Sequence, residues 1–220
     1  MISTKNIPTG AGGKTPKSLK PGNTTVKINS IYLEEYPWGE NAYHLMFDLE
    51  GPAQPDGFEG FFIDKNNEAL GRYAGQVSRV KANMWAYSDK TLDRGIVINR
   101  DMEISKVLQN IANATGCTAW LDAQDEKHEN IESLVNQMND DAPFADKLMD
   151  VCLAGKEYEN KAGYTNFDLF FPKYANGGVP FEAADTENSK VLKFNDSHIV
   201  KKKVKDVDSF EATAGAAAED

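Results

Sequence analysis

The chain has no run of about eighteen apolar residues, the length a helix needs to cross a bilayer. Its first thirty residues lack the apolar centre of a secretory signal. A soluble intracellular protein without membrane contact is expected. Cysteine is nearly missing: Cys117 and Cys152 have neither the paired spacing nor the neighbouring histidines of a metal site, which points to reduced structural thiols. The three histidines, His44, His128 and His198, lie far apart, with no serine–histidine–acid order and no HExxH spacing, so they are expected to be solvated or incidental. The carboxylates between residues 121 and 150 lack the DxDxDG pattern of a calcium loop and are expected to form a solvated face. Gly13-Lys14-Thr15 has the tail of a phosphate-binding loop. Pro8 stands where its first glycine is required, no strand precedes it, and Ser18-Leu-Lys-Pro21 does not sustain a helix after it. No catalytic constellation assembles, and the expectation is a protein that is not an enzyme and uses neither metal nor cofactor.

Net positive charge is also missing. The 220 residues carry a formal charge of -10, which argues at first against a polyanionic partner. Its distribution changes that reading. Residues 1–33 contain Lys5, Lys14, Lys17, Lys20 and Lys27 and no acid, whereas residues 206–220 contain Asp206, Asp208, Glu211, Glu219 and Asp220 and no base. Much of the remaining negative charge lies between Leu121 and Asp150 and can face away from a bound polyanion.

The opening stretch is rich in glycine, proline and lysine and too poor in apolar surface to pack, so residues 1–22 read as a flexible basic arm. Period-two patterns predict strands over Thr25–Leu33, Tyr43–Glu50 and Phe58–Asp64, and a long one over Arg72–Tyr87. A helical spacing of Tyr73, Val77, Val80, Met84 and Tyr87 competes with the last of these, against Gly71 and Gly75. A helix capped by Asp101 should carry Ile104, Val107, Leu108, Ile111 and Thr115 on one stripe and end at Gly116. Ile131, Leu134, Val135 and Met138 predict a second helix, and Pro143 a short third. A hairpin of Val151–Glu159 and Tyr164–Phe171 follows. Strands, helices and a closing hairpin predict a mainly β (α+β) protein, a five-stranded OB-type Greek-key barrel with a helical segment inserted at about 101–149. The domain spans residues 23–200, and residues 201–220 form a basic cluster and an acidic disordered tail.

If Arg79 to Tyr87 is extended, Arg79, Lys81, Asn83, Trp85 and Tyr87 share one face and Val80, Ala82, Met84 and Ala86 the other. A single nucleic-acid strand needs that combination, cations for phosphates and flat rings for unstacked bases. Tyr43, Phe47, Phe167 and Phe171 alternate with polar residues and read as core. Tyr36, Trp38, Tyr73, Trp85, Tyr87, Tyr158 and Tyr164 sit among polar, basic or turn residues, more rings than a wet surface normally carries. Arg72, Arg79, Lys81, Lys156 and Lys161 are the matching candidates for phosphate contact.

Gly155-Lys-Glu-Tyr-Glu-Asn-Lys-Ala-Gly-Tyr-Thr-Asn-Phe-Asp-Leu-Phe-Phe-Pro-Lys173, with Gly75-Gln-Val-Ser-Arg-Val-Lys81 and the Asn99-Arg-Asp-Met-Glu helix start, resembles bacteriophage single-stranded DNA-binding proteins of OB fold over roughly Pro21 to Pro172. The resemblance implies a replication and recombination protein in the cytoplasm of an infected bacterium, one that coats single strands, protects them and removes hairpins. It also implies an acidic tail that competes with DNA for the basic groove and docks on polymerase, helicase or recombinase. Asp206, Asp208, Phe210, Glu211, Glu219 and Asp220 look like that tail, although its charge is dilute and its aromatic residue lies ten positions before the end. A homo-oligomer is compatible with this pattern. The rival readings are a phage structural or assembly protein that uses the barrel for protein contacts, and a nucleotide-dependent enzyme acting through the glycine-rich arm.

Overall fold

The computed structural model describes residues 19–51, 77–161, 163–173, 178–184, 186–187 and 189–202. The long first strand β1 (Gly22–Glu35) is followed by β2 (Tyr43–Glu50), β3 (Val77–Lys81) and a small ribbon of β4 (Lys90–Thr91) and β5 (Val97–Ile98). Helices α1 (Arg100–Thr115), α2 (Thr118–Asp122) and α3 (Ile131–Asp141) come next, then β6 (Leu148–Glu159), β7 (Thr165–Phe170), β8 (Phe181–Ala183) and β9 (Ile199–Val200). β1 pairs β2, β2 pairs β3, β3 pairs β7 in parallel, β7 pairs β6, and β6 returns to β1. The result is a closed five-stranded barrel of OB type, with the helices inserted between its third strand and its closing hairpin.

One strand serves both sides of the closure because β1 bends. Its first half pairs β6 and its second half β2, and the register shifts between Ile28 and Ser30. The extra residue of this bulge turns the strand and reverses which parity points inward: Val26 and Ile28 are buried before it, Ile31 after it. β2 sends Leu45, Phe47 and Leu49 inward, and the Phe47, Phe171 and Phe181 rings meet edge to face at 5.5 and 4.9 Å. Ile104, Leu108 and Ile111 of α1 and Ile131, Val135 and Met138 of α3 complete the same core.

Several local expectations are corrected. Asn99, not Asp101, caps α1: its side chain accepts from the Met102 N–H, while Asp101 pairs with Arg100 at 2.6 Å. Gly116 ends the helix with φ 70°, as its lack of Cβ allows. Pro143 opens a turn and no helix, and only four residues lie between it and the start of β6. Tyr43 is half-buried, its ring facing the Arg100 guanidinium at 4.9 Å. Leu19, placed on the mobile arm by composition, is 4% exposed and donates its N–H to Ser78 Oγ at 2.8 Å. The strand expected over 58–64 lies outside the described residues. Among the described residues, no helix is long and apolar enough to cross a membrane.

Candidate nucleic-acid interface

The alternation that buries Leu45 and Phe47 in the barrel places Met46 and Asp48 of β2 on its other face, beside Lys81 and Arg79 of β3, where Met46 is covered and Asp48 partly exposed. Across the parallel pair lies β7 with Asn166 and Asp168, and Lys156 and Tyr158 of β6 stand opposite these two. A groove of about 990 Å³ runs over this face, lined among others by Lys20, Glu34, Met46, Arg79, Lys81, Tyr158 and Asp168. Arg79, Lys81 and Tyr158 therefore meet in one place, and exposed Lys156 stands on the same face, although the two segments are more than seventy residues apart.

The extended ribbon expected over Arg72–Tyr87 is present only as Val77–Lys81 among the described residues. Beyond it the Ala82 N–H donates to Leu45 O at 2.8 Å, and the chain rejoins β2 where Tyr87 bridges Tyr43. Two steps along β2, from 45 to 43, thus face five steps from 82 to 87, and the three surplus residues are pushed out of the ladder. Trp85 rides on that excursion and is 61% exposed. Tyr87, expected beside it on the solvent face, instead packs against the core, and burial raises its hydroxyl pKa well above the usual tyrosine range.

Trp38 sits in the β1–β2 turn, 85% exposed. Because Tyr43 opens β2 and bridges Tyr87, this turn and the Trp85 excursion occupy the same end of the barrel. Neither tryptophan lines the groove itself. The β6–β7 turn, with exposed Lys161 and with Tyr164 at 70% exposure, marks the opposite end, since β7 starts alongside the start of β3. Tyr36, a second ring of the β1–β2 turn, is half-buried edge-on against His44 at 5.5 Å. His44 is not solvated as expected: it is 8% exposed and its Nδ1 is buried without a partner. Burial first, and then the Lys81 ammonium, lower its pKa below the ordinary histidine range.

Alternation alone did not reveal the acids of this face. The Arg79 guanidinium donates to Glu34 Oε2 at 2.9 Å and to the Tyr32 hydroxyl at 2.8 Å, and Lys81 Nζ stands 3.6 Å from Asp168. Glu34 and Tyr32 do fall on the outward parity of β1 beyond its bulge, a signal visible only once the bulge is known. Lys156 and Lys161 make no ion pair among the described residues.

β9 runs parallel to β6 at Gly155 and Lys156, and Lys202 Nζ pairs with Glu159 at 2.9 Å. The chain thus reaches its last described residue beside the β6–β7 turn. Arg72, Tyr73 and the tail residues Asp206, Asp208, Phe210, Glu211, Glu219 and Asp220 lie outside the described residues, as does Gly13-Lys14-Thr15. Cys117 and Cys152 are free, buried thiols, and burial pushes Cys152 up to about 11. Among the described residues, no three acids, histidines or cysteines gather as a metal site. No protein-family model matches the chain, and neither curated proteins nor solved structures yield a match.

Proposed function

We propose that this protein binds single-stranded DNA without sequence preference during phage DNA replication and recombination, protecting single strands and recruiting polymerase, helicase or recombinase through its acidic tail. The observation that carries this reading is the grooved face of β2, β3 and β7, with Arg79 and Lys81 at its middle and exposed rings at both ends of its strands. Cations along a groove follow the phosphates, and rings offer stacking to any base. Duplex DNA is disfavoured because its bases already stack on each other.

The test is titration of the intrinsic tryptophan fluorescence with oligo-dT. Trp38→Ala and Trp85→Ala should each weaken binding by about fivefold to a hundredfold, which corresponds to ~1–3 kcal/mol of stacking per base. No quenching and no mobility shift with the intact protein would refute the reading. A phage structural or assembly protein is the second reading, and the β4–β5 ribbon favours it: Leu92, Ile96 and Val97 are all exposed there. Co-purification with capsid or tail parts, without any oligonucleotide shift, would select it.

A further inference from the structure

The two cations at the centre of the face already have anionic partners. Arg79 reaches from β3 across β2 to β1, where Glu34 and the Tyr32 hydroxyl accept from it and the Tyr32 ring centroid lies 5.7 Å away. Lys81 is held by Asp168 of the neighbouring β7. Both carboxylates line the same groove as the cations they hold. Their side chains are 46% and 53% exposed, a setting in which an ion pair adds little to the stability of a fold. A phosphate that engages Arg79 or Lys81 must therefore compete with a carboxylate that is itself free to turn into water.

We propose that Glu34 and Asp168 set the affinity of the face by holding Arg79 and Lys81 in exchange with the phosphodiester backbone. This deepens the single-stranded DNA reading and rests on it. Binding at these two positions replaces one anion by another. A phosphate neutralised by an unpaired cation releases about 0.7 of a condensed counter-ion from a single strand. Here the displaced carboxylate takes a counter-ion back from solution, so the two positions add almost nothing to the salt dependence. The strand is held loosely at the middle of the face and more firmly at Lys156 and Lys161, which make no ion pair among the described residues, as suits a coat that must be stripped off when a polymerase arrives.

The experiment measures binding of end-labelled oligo-dT to the full chain by fluorescence anisotropy across a salt series, for the intact protein, Glu34→Gln, Asp168→Asn and the double variant. Both replacements keep the shape of half-exposed side chains, and circular dichroism verifies their fold. Each single variant should bind up to about fivefold more tightly at low salt, the equivalent of one surface ion pair. In the double variant the slope of log K against log salt should steepen by about 1.4, two phosphates at about 0.7 each. Arg79→Ala should cost more affinity in the Glu34→Gln background than in the intact protein. An unchanged slope, or weaker binding in the variants, overturns the exchange and makes the carboxylates positioning residues for their cations. If the intact protein binds no oligo-dT, the underlying reading fails and this inference fails with it. If the protein binds and the slope stays put, only this inference fails.

Discussion

His44 is an outward-parity residue of β2 that packs edge-on against the Tyr36 ring, and it is buried there together with Met46, the next residue of the same parity. Its lowered pKa fixes the sign of a pH effect. The unfolded chain binds a proton at His44 near pH ~6.5 whereas the folded chain resists it, so this contribution to stability is whole above that pH. It is lost as the pH falls through the folded value. The urea midpoint should therefore drop between about pH 7.5 and about pH 5, and His44→Phe should drop less over that range. Equal drops in both proteins would mean that the imidazole is hydrated after all. Trp85 and Tyr87 make the same point without a titration. They share a parity in the sequence, yet one is extruded and the other packed, because the hydrogen bonds of Leu45 and Tyr43 decide how many residues the loop must absorb.

Among the elements, β6 carries the most partners: β1 and β8 flank its first half, β7 and β9 its second. Gly155 sits where these partners change over. A Cβ at this position would lie 2.5 Å from Pro21 Cγ and 3.0 Å from Phe167 Cδ1, so Pro21, just before β1, would have to shift and the Phe167 ring of β7 give way. Gly155→Ala should destabilise the protein by ~1–3 kcal/mol, the usual range for overpacking, as read from urea denaturation. A loss below about 0.5 kcal/mol would show that Pro21 yields easily. The hairpin of β6 and β7 was legible in the sequence to within three residues, since Asn160-Lys-Ala-Gly163 carries its own turn chemistry, while the start of β6 at Leu148 was missed because Val151 to Gly155 are buried without alternation. β3 was not, because its length depends on where β2 stops offering partners. The α1 cap was misplaced by two residues for a local reason: Asp101 is drawn to Arg100, which also reaches Glu132 of α3 and the Asn41 carbonyl.

At the scale of the whole molecule, acid is spread over the helical insertion and the C-terminal end, while the grooved face mixes both signs. Lys202 is anchored beside the β6–β7 turn, so a tail tethered there would be a local competitor for Lys156 and Lys161. Removing residues 206–220 should tighten oligo-dT binding by about tenfold at low salt, the order expected when a tethered competitor is lost. Unchanged or weaker binding of the truncated protein would dismiss the competition.

The segments that form β1, β2, α1, α3 and the β6–β7 hairpin and the inward rows of Leu45, Phe47, Leu49, Ile104 and Leu108 were determined by the sequence alone, because periods of two and 3.6 residues are local properties of the chain, whereas β4, β5, α2, β8 and β9 are too short to show either period. Only the tertiary structure decided which rings stay in water and which cations arrive already paired. Those outcomes depend on register between strands distant in sequence, on a one-residue bulge in β1, and on Glu34 and Asp168 meeting Arg79 and Lys81 across neighbouring strands.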